Sequence, residues 1–147
     1  MTLVDTNLLL YATFADAHEH ERTRTWLEDR FADVEGTVAL CWPVLYAFVR
    51  LVTSPRVFGP SALTIREGWA AVEAFKSQPA ARLVVAGPGH AAIAAELAAT
   101  PGLRSDDVPD VELAALAIEH GLVLASHDSG FRRFRGLRTL DPLASGA

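Results

Sequence analysis

The sequence predicts an α/β domain of three layers, α/β/α, with a small central parallel sheet of four to five strands flanked by helices. Three observations predict it. Short, mostly apolar runs recur at residues 2–4, 37–40, 82–85, 122–125 and 137–140. Segments with helical periodicity separate them. The strongest runs are apolar throughout rather than alternating, as strands covered on both faces must be.

Each element has its own signal. Residues 2–4 form a short buried strand, and residues 7–14 turn helical with Asp5 or Thr6 as cap. Residues 18–32 are amphipathic, with Trp26, Leu27 and Phe31 facing the core. After the strand at 37–40, residues 42–53 make an apolar helix with Pro43 in its first turn. Two prolines and a glycine mark residues 54–60 as a loop. A helix over 61–77, capped by Ser61, precedes the strand at 82–85 and an alanine-rich helix over 89–99. Residues 102–108 read as a surface loop. A helix over 109–120 is stopped by Gly121 and leads into the strand at 122–125. A weaker strand at 137–140 ends at Asp141-Pro142.

Composition bounds what such a domain does. At 147 residues the chain suits one domain, residues 1–147, with a real core; half its residues are hydrophobic, which argues against disorder. A net charge of −5 gives no general attraction to nucleic acid or to an anionic membrane, so any polyanion needs a local patch or bound cations. The single cysteine, Cys41, excludes an internal disulfide framework, fits a reducing cytoplasm and reads as a small buried residue. No secretory signal is visible, and the most apolar runs are too short to span a bilayer. The expectation is a cytoplasmic protein with no membrane partner.

Ligands of open α/β sheets gather at the carboxyl ends of the strands. Three acids fall there. In "LVDTNLLLYA" Asp5 follows the first strand; in "SDDVPDVELAALAIEHG" Asp110 lies in the first turn of a helix; in "LVLASHDSGF" Asp128 follows a strong strand. Clustered carboxylates repel one another and are costly to desolvate, and a hard divalent cation offsets both terms. Each acid also has a plainer role available: a helix cap for Asp5, a dipole partner for Asp110, a turn former for Asp128.

"LVDTNLLLYA", "DVPDVELAALAIEHG", "LASHDSGF" and the closing "GLRTLDP" together resemble a PIN-domain protein, and more closely the VapC-type toxins of bacterial toxin–antitoxin pairs. The resemblance covers nearly the whole chain. It implies an endoribonuclease dependent on Mg2+, with Mn2+ as the alternative, in which Asp5, Asp110 and Asp128 hold the metal. It implies an RNA substrate, products with a 5′-phosphate and a 3′-hydroxyl, a homodimer, and a small antitoxin as partner. Asn7 and Ser126 match polar positions that line such sites.

Two departures stand out. The family usually carries a glutamate in the helix written here "WPVLYAFVRL", where Leu45, Tyr46 and Ala47 take its place. Either three aspartates suffice, with water or Asp106 or Asp107 moving in, or the chain is a weak or inactive module that only binds antitoxin or RNA. Gly130 stands where many relatives carry another acid. A metal-dependent phosphatase is a third reading, disfavoured because "DTN" lacks a second acid two residues on and no phosphate-binding glycine motif is present.

"FRRFRGLR" offers positive charge, with Arg132 and Arg133 as RNA contacts and Phe131 and Phe134 either as stacking residues or as core. Arg50 reads as a partner for a site acid, a phosphate contact or a satisfied core-edge residue. His18 and His20 are two apart and suit a solvated helix better than a metal; His120 reads as a helix-dipole partner. Ser126-His127-Asp128 cannot be a triad, since neighbours in sequence do not converge on one proton path. The apolar stripe from Leu45 to Val52, with Trp69 and Phe75, is core by default and an interface otherwise.

Overall fold

In the computed structural model, which describes residues 1–35 and 37–145, five parallel strands form one sheet in the order β3-β2-β1-β4-β5. They are β1 (Thr2–Val4), β2 (Val38–Leu40), β3 (Ala81–Leu83), β4 (Val123–Ala125) and β5 (Arg138–Leu140). The strands stay short because each needs only to cross the core. β1, β2 and β4 bury nearly every side chain, which explains their unbroken apolar composition. In register, Leu3 pairs with Ala39 on one side and with Leu124 on the other.

The helices are α1 (Thr6–Thr13), α2 (His20–Phe31), α3 (Trp42–Val52), α4 (Pro55–Phe58), α5 (Ile65–Lys76), α6 (His90–Leu97) and α7 (Val108–Glu119). α1 packs on α2 and α3, and α3 on α5, while α6 and α7 pack together. In the strand order β3-β2-β1-β4-β5, the right-handed crossover rule assigns the first group to one face of the sheet and the second to the other. α3 buries Val44, Leu45, Phe48 and Val52, so the apolar stripe is core, whereas Tyr46 points outward at 61% exposure. Gly68 lets α5 close on α3: a Cβ there would stand 3.2–3.4 Å from Val49, Val52 and Thr53 side-chain carbons. Gly121 ends α7 with a φ of +67°, a backbone region open to glycine without strain.

Three expectations about elements are corrected. Residues 54–60 are not an irregular loop: Pro55 starts α4, and a 3₁₀ turn follows at Gly59–Ser61. Proline fits a first helical turn, where its missing N–H costs nothing. α5 therefore starts later than residue 61. Thr64 caps it, its Oγ1 accepting from Glu67 N while the Glu67 carboxylate accepts from Thr64 N, a reciprocal box that outcompetes Ser61. Within the expected loop at 102–108, a 3₁₀ turn at Ser105–Asp107 leads straight into α7.

Candidate active site

The carboxyl edge of the sheet gathers the acids by simple topology. β1 ends one residue before Asp5, β4 ends three residues before Asp128, and α7, which runs back along the sheet, begins two residues before Asp110. The Asp5 backbone N–H donates to Ala125 O at 3.0 Å, tying the ends of β1 and β4 together.

Ser126 organises this edge. It is buried at 5% exposure. Its hydroxyl donates to Asp5 Oδ2 at 2.6 Å and accepts from Asp128 N at 3.0 Å and Asn7 Nδ2 at 3.3 Å. Asn7 Oδ1 in turn accepts from His127 N at 3.4 Å. The other Asp5 oxygen accepts from Thr6 N at 2.7 Å, so Asp5 does cap α1 while presenting its carboxylate to the edge. Burial pushes the Asp5 carboxyl upward, against the hydrogen bonds from Ser126 and Thr6, and the Asp128 charge adds to the rise.

Asp110 sits in the first turn of α7. Its pKa is pushed up to about 6, by burial first and then by the charges of Asp128 and Asp5, with Arg133 opposing. The three acids therefore lie within electrostatic reach of one another. Asp128 also turns its Oδ1 onto Gly130 N at 2.8 Å, which opens the 3₁₀ turn Ser129–Arg133. Gly130 leaves room for that bend: a Cβ would meet Asp128 Oδ1 at 3.0 Å.

A groove of about 190 Å³ runs beside Asp5 and Asp110, walled by Thr6, Pro43, Val44, Ala47, Pro109 and Leu113 among others. The position usually given to glutamate thus resolves. Leu45 is buried, Tyr46 lies outward against Trp42 and Trp69, and Ala47 faces the acids. α3 contributes no charge to this groove. Asp107 is joined to Asp110 through Arg133, whereas Asp106 is exposed and makes no side-chain bond among the described residues. Among the described residues no three His, Cys, Asp or Glu side chains already stand as a closed metal site. The donor set is nonetheless all hard oxygen, and neighbouring carboxylate charge adds to the rise at Asp5 and Asp110, which is the chemistry that Mg2+ or Mn2+ suits.

The basic stretch divides. Arg132 lines a second groove, of about 230 Å³, with Ser126, Asp128, Ser129, Thr139 and Asp141. Arg133 Nη2 pairs with Asp107 at 3.0 Å and Asp110 at 3.2 Å. Arg138 instead donates to Gly121 O at 2.7 Å, at the other end of β4 and β5. Phe131 and Phe134, each 2% exposed, are core and cannot stack on bases. Arg50, in the last turn of α3, is exposed and about 12 Å along the helix from Trp42, and it makes no ion pair among the described residues.

The histidines differ from expectation. His20 is buried rather than solvated, its Nδ1 2.8 Å from Tyr11 O. His120 Nε2 lies 2.7 Å from Val85 O and ties down a loop. His127 pairs through Nδ1 with Asp141 Oδ2 at 3.0 Å, and Tyr11 meets its ring edge-on. Asp141 was the site neighbour that sequence reasoning missed. It directly follows β5, so the carboxyl-edge rule applied to the weakest strand would have found it.

The family model of the PIN domain matches residues 2–137. The chain belongs to the PIN domain family. Among curated relatives of this PIN domain, ribonuclease VapC33 of Mycobacterium tuberculosis is 37% identical over 143 residues, covering 97% of this chain and 99% of its own. Ribonuclease VapC37 of the same organism is 36% identical over 144 residues, covering 98% and 99%. Among solved structures, VapBC2 from Rickettsia felis bound to a DNA fragment from their promoter superposes with a TM-score of 0.70 at 18% identity, covering 95% of this chain and 96% of that one. The sarcin–ricin-loop-cleaving toxin VapC20 of M. tuberculosis gives 0.66 at 19% identity, covering 94% and 99%. These two share the PIN fold. Among the described residues, no helix is long and apolar enough to cross a membrane.

Proposed function

We propose that this PIN domain is an endoribonuclease acting as the toxin of a bacterial toxin–antitoxin pair, dependent on Mg2+ with Mn2+ as substitute. One observation carries the reading: Asp5, Asp110 and Asp128, from three distant stretches, come to a single sheet edge, where the charges of Asp128 and Asp5 bear on the Asp110 carboxyl and that of Asp128 on Asp5. Curated relatives at 36–37% identity over almost the full length are named ribonucleases, which supports the same activity here.

Asp5, Asp110 and Asp128 would hold the cation, which supplies a water of lowered pKa and charge neutralisation at the scissile phosphate. Ser126 fixes Asp5 through its 2.6 Å bond and keeps that carboxylate from rotating away. Asn7 fixes Ser126 in turn. Arg132, on the groove beside Asp128, would meet a backbone phosphate, and salt dependence of binding would report that contact. The absence of an acid at Ala47 leaves one side of the groove to water. An RNA substrate, a small antitoxin, a homodimer and a cytoplasmic location complete the proposal.

The test is incubation of purified protein with total RNA, with Mg2+ or with EDTA, followed by mapping of new 5′ ends. Cleavage that needs Mg2+ and disappears in Asp5→Ala supports the reading; equal cleavage in EDTA rejects it. The second reading, a module that binds without cutting, is favoured by the apolar wall of Pro43, Val44 and Ala47. It predicts no difference in RNA integrity between wild type and Asp128→Ala.

A further inference from the structure

We propose that Arg133 is the resident counter-ion of Asp110, bridging it to Asp107, and that a divalent cation must break this bridge before Asp110 can serve it. The inference rests on the metal-site reading above and adds how the site is guarded. One guanidinium nitrogen, Nη2, serves both carboxylates, at 3.0 Å to Asp107 Oδ1 and 3.2 Å to Asp110 Oδ2. A cation and a guanidinium on one carboxylate repel each other even at the dielectric constant of water. Occupation of Asp110 by one therefore disfavours the other.

The bridge is built to release Arg133 without losing it. Asp107 is anchored separately, its Oδ2 accepting from Arg104 N at 2.8 Å, which leaves Oδ1 for Arg133. The guanidinium carbon also lies 5.0 Å from the centre of the Phe134 ring, and Phe134 is fixed in the core. When Asp110 turns to a cation, Arg133 stays on Asp107 at the rim with its remaining N–H donors free. Arginine forks match phosphate geometry, so the freed group is placed to meet the RNA backbone. Entry of the cation would thus create a phosphate contact that the bridged state withholds. Arg133 is a positioning residue in this scheme until it is freed.

The proposal has a crossed signature that an ordinary surface ion pair lacks. Mn2+ binding to the full chain is measured by electron paramagnetic resonance and calorimetry at pH 7.5, for wild type, Arg133→Gln, Arg133→Lys and Asp5→Asn. Arg133→Gln is expected to bind Mn2+ roughly fivefold more tightly, the factor that removal of an exposed ion pair corresponds to. Its KM for RNA is expected to rise at saturating Mn2+. Arg133→Lys, which keeps the charge and loses the fork, shows a smaller gain in Mn2+ affinity. Unchanged or weaker Mn2+ binding in both Arg133 variants overturns the proposal. If Asp5→Asn abolishes binding while the Arg133 variants match wild type, this inference alone fails. If wild type binds no better than Asp5→Asn, the metal site fails and takes the bridge with it.

Discussion

Removing a charge from the acid edge should make the metal-free protein more stable while it destroys the site. Asp110→Asn is the sharpest case. The Asp110 carboxyl has a folded pKa of about 6 against an ordinary 3.8, through burial and the charges of Asp128 and Asp5. A raised folded pKa means that the native state holds the proton more tightly than the unfolded chain does. The associated stability is present below pH 3.8 and is lost as pH rises through about 6. Taken at face value, a shift of about two units corresponds to roughly 3 kcal/mol. The side chain is 26% exposed and the pocket is open to solvent, so screening reduces this to about 1 kcal/mol. Urea denaturation in EDTA should therefore find Asp110→Asn more stable than wild type by about 1 kcal/mol at pH 8, with the gap narrowing as pH falls through about 6 and gone below 3.8. RNA cleavage should be lost in the same variant. A variant less stable than wild type by an amount independent of pH would refute the idea that these acids strain one another.

Other consequences follow from particular contacts. Ser126→Ala removes the shortest donor to Asp5 and should cost about 1–2 kcal/mol near neutral pH. The hydroxyl favours the ionised carboxylate, so the loss should shrink as pH falls and Asp5 takes up its proton; an equal loss at pH 4 and pH 8 argues against this. Thr64→Ala breaks the capping box of α5 and should lower stability by about 1 kcal/mol in urea titrations, with activity unchanged. Gly68→Val forces atoms into the 3.2–3.4 Å gap against α3 and should cost about 1–3 kcal/mol; a neutral thermal melt means that the helices separate freely.

The carboxyl-edge rule carries most of what was legible about the site. It singled out Asp5, Asp110 and Asp128 as candidates, and the fold puts them at that edge, because each is tied to the end of a strand or the start of a helix that packs back on the sheet. It missed Asp141 because β5 is an exposed edge strand with little apolar signal in Arg138, Thr139 and Leu140. The Thr64–Glu67 box was written in the sequence but lay behind Ser61, which offered an earlier cap. Phe131 and Phe134 could not be assigned by composition, since the same spacing serves a stacking surface or a core; packing decided for the core.

By itself the sequence determined the layered parallel architecture, because runs of apolar residues three or four long leave no other way to hide both faces of a strand. It also determined which acids end up on one rim, since chain order and crossover hand fix where each strand stops. Only the tertiary structure decided what those acids touch. That Ser126 grips Asp5, that Arg133 spans Asp107 and Asp110, and that His127 rests on Asp141 depend on ångström-scale distances between residues 14–121 positions apart. Hydrogen bonds and ion pairs are short-ranged and directional, so no periodicity along the chain encodes them.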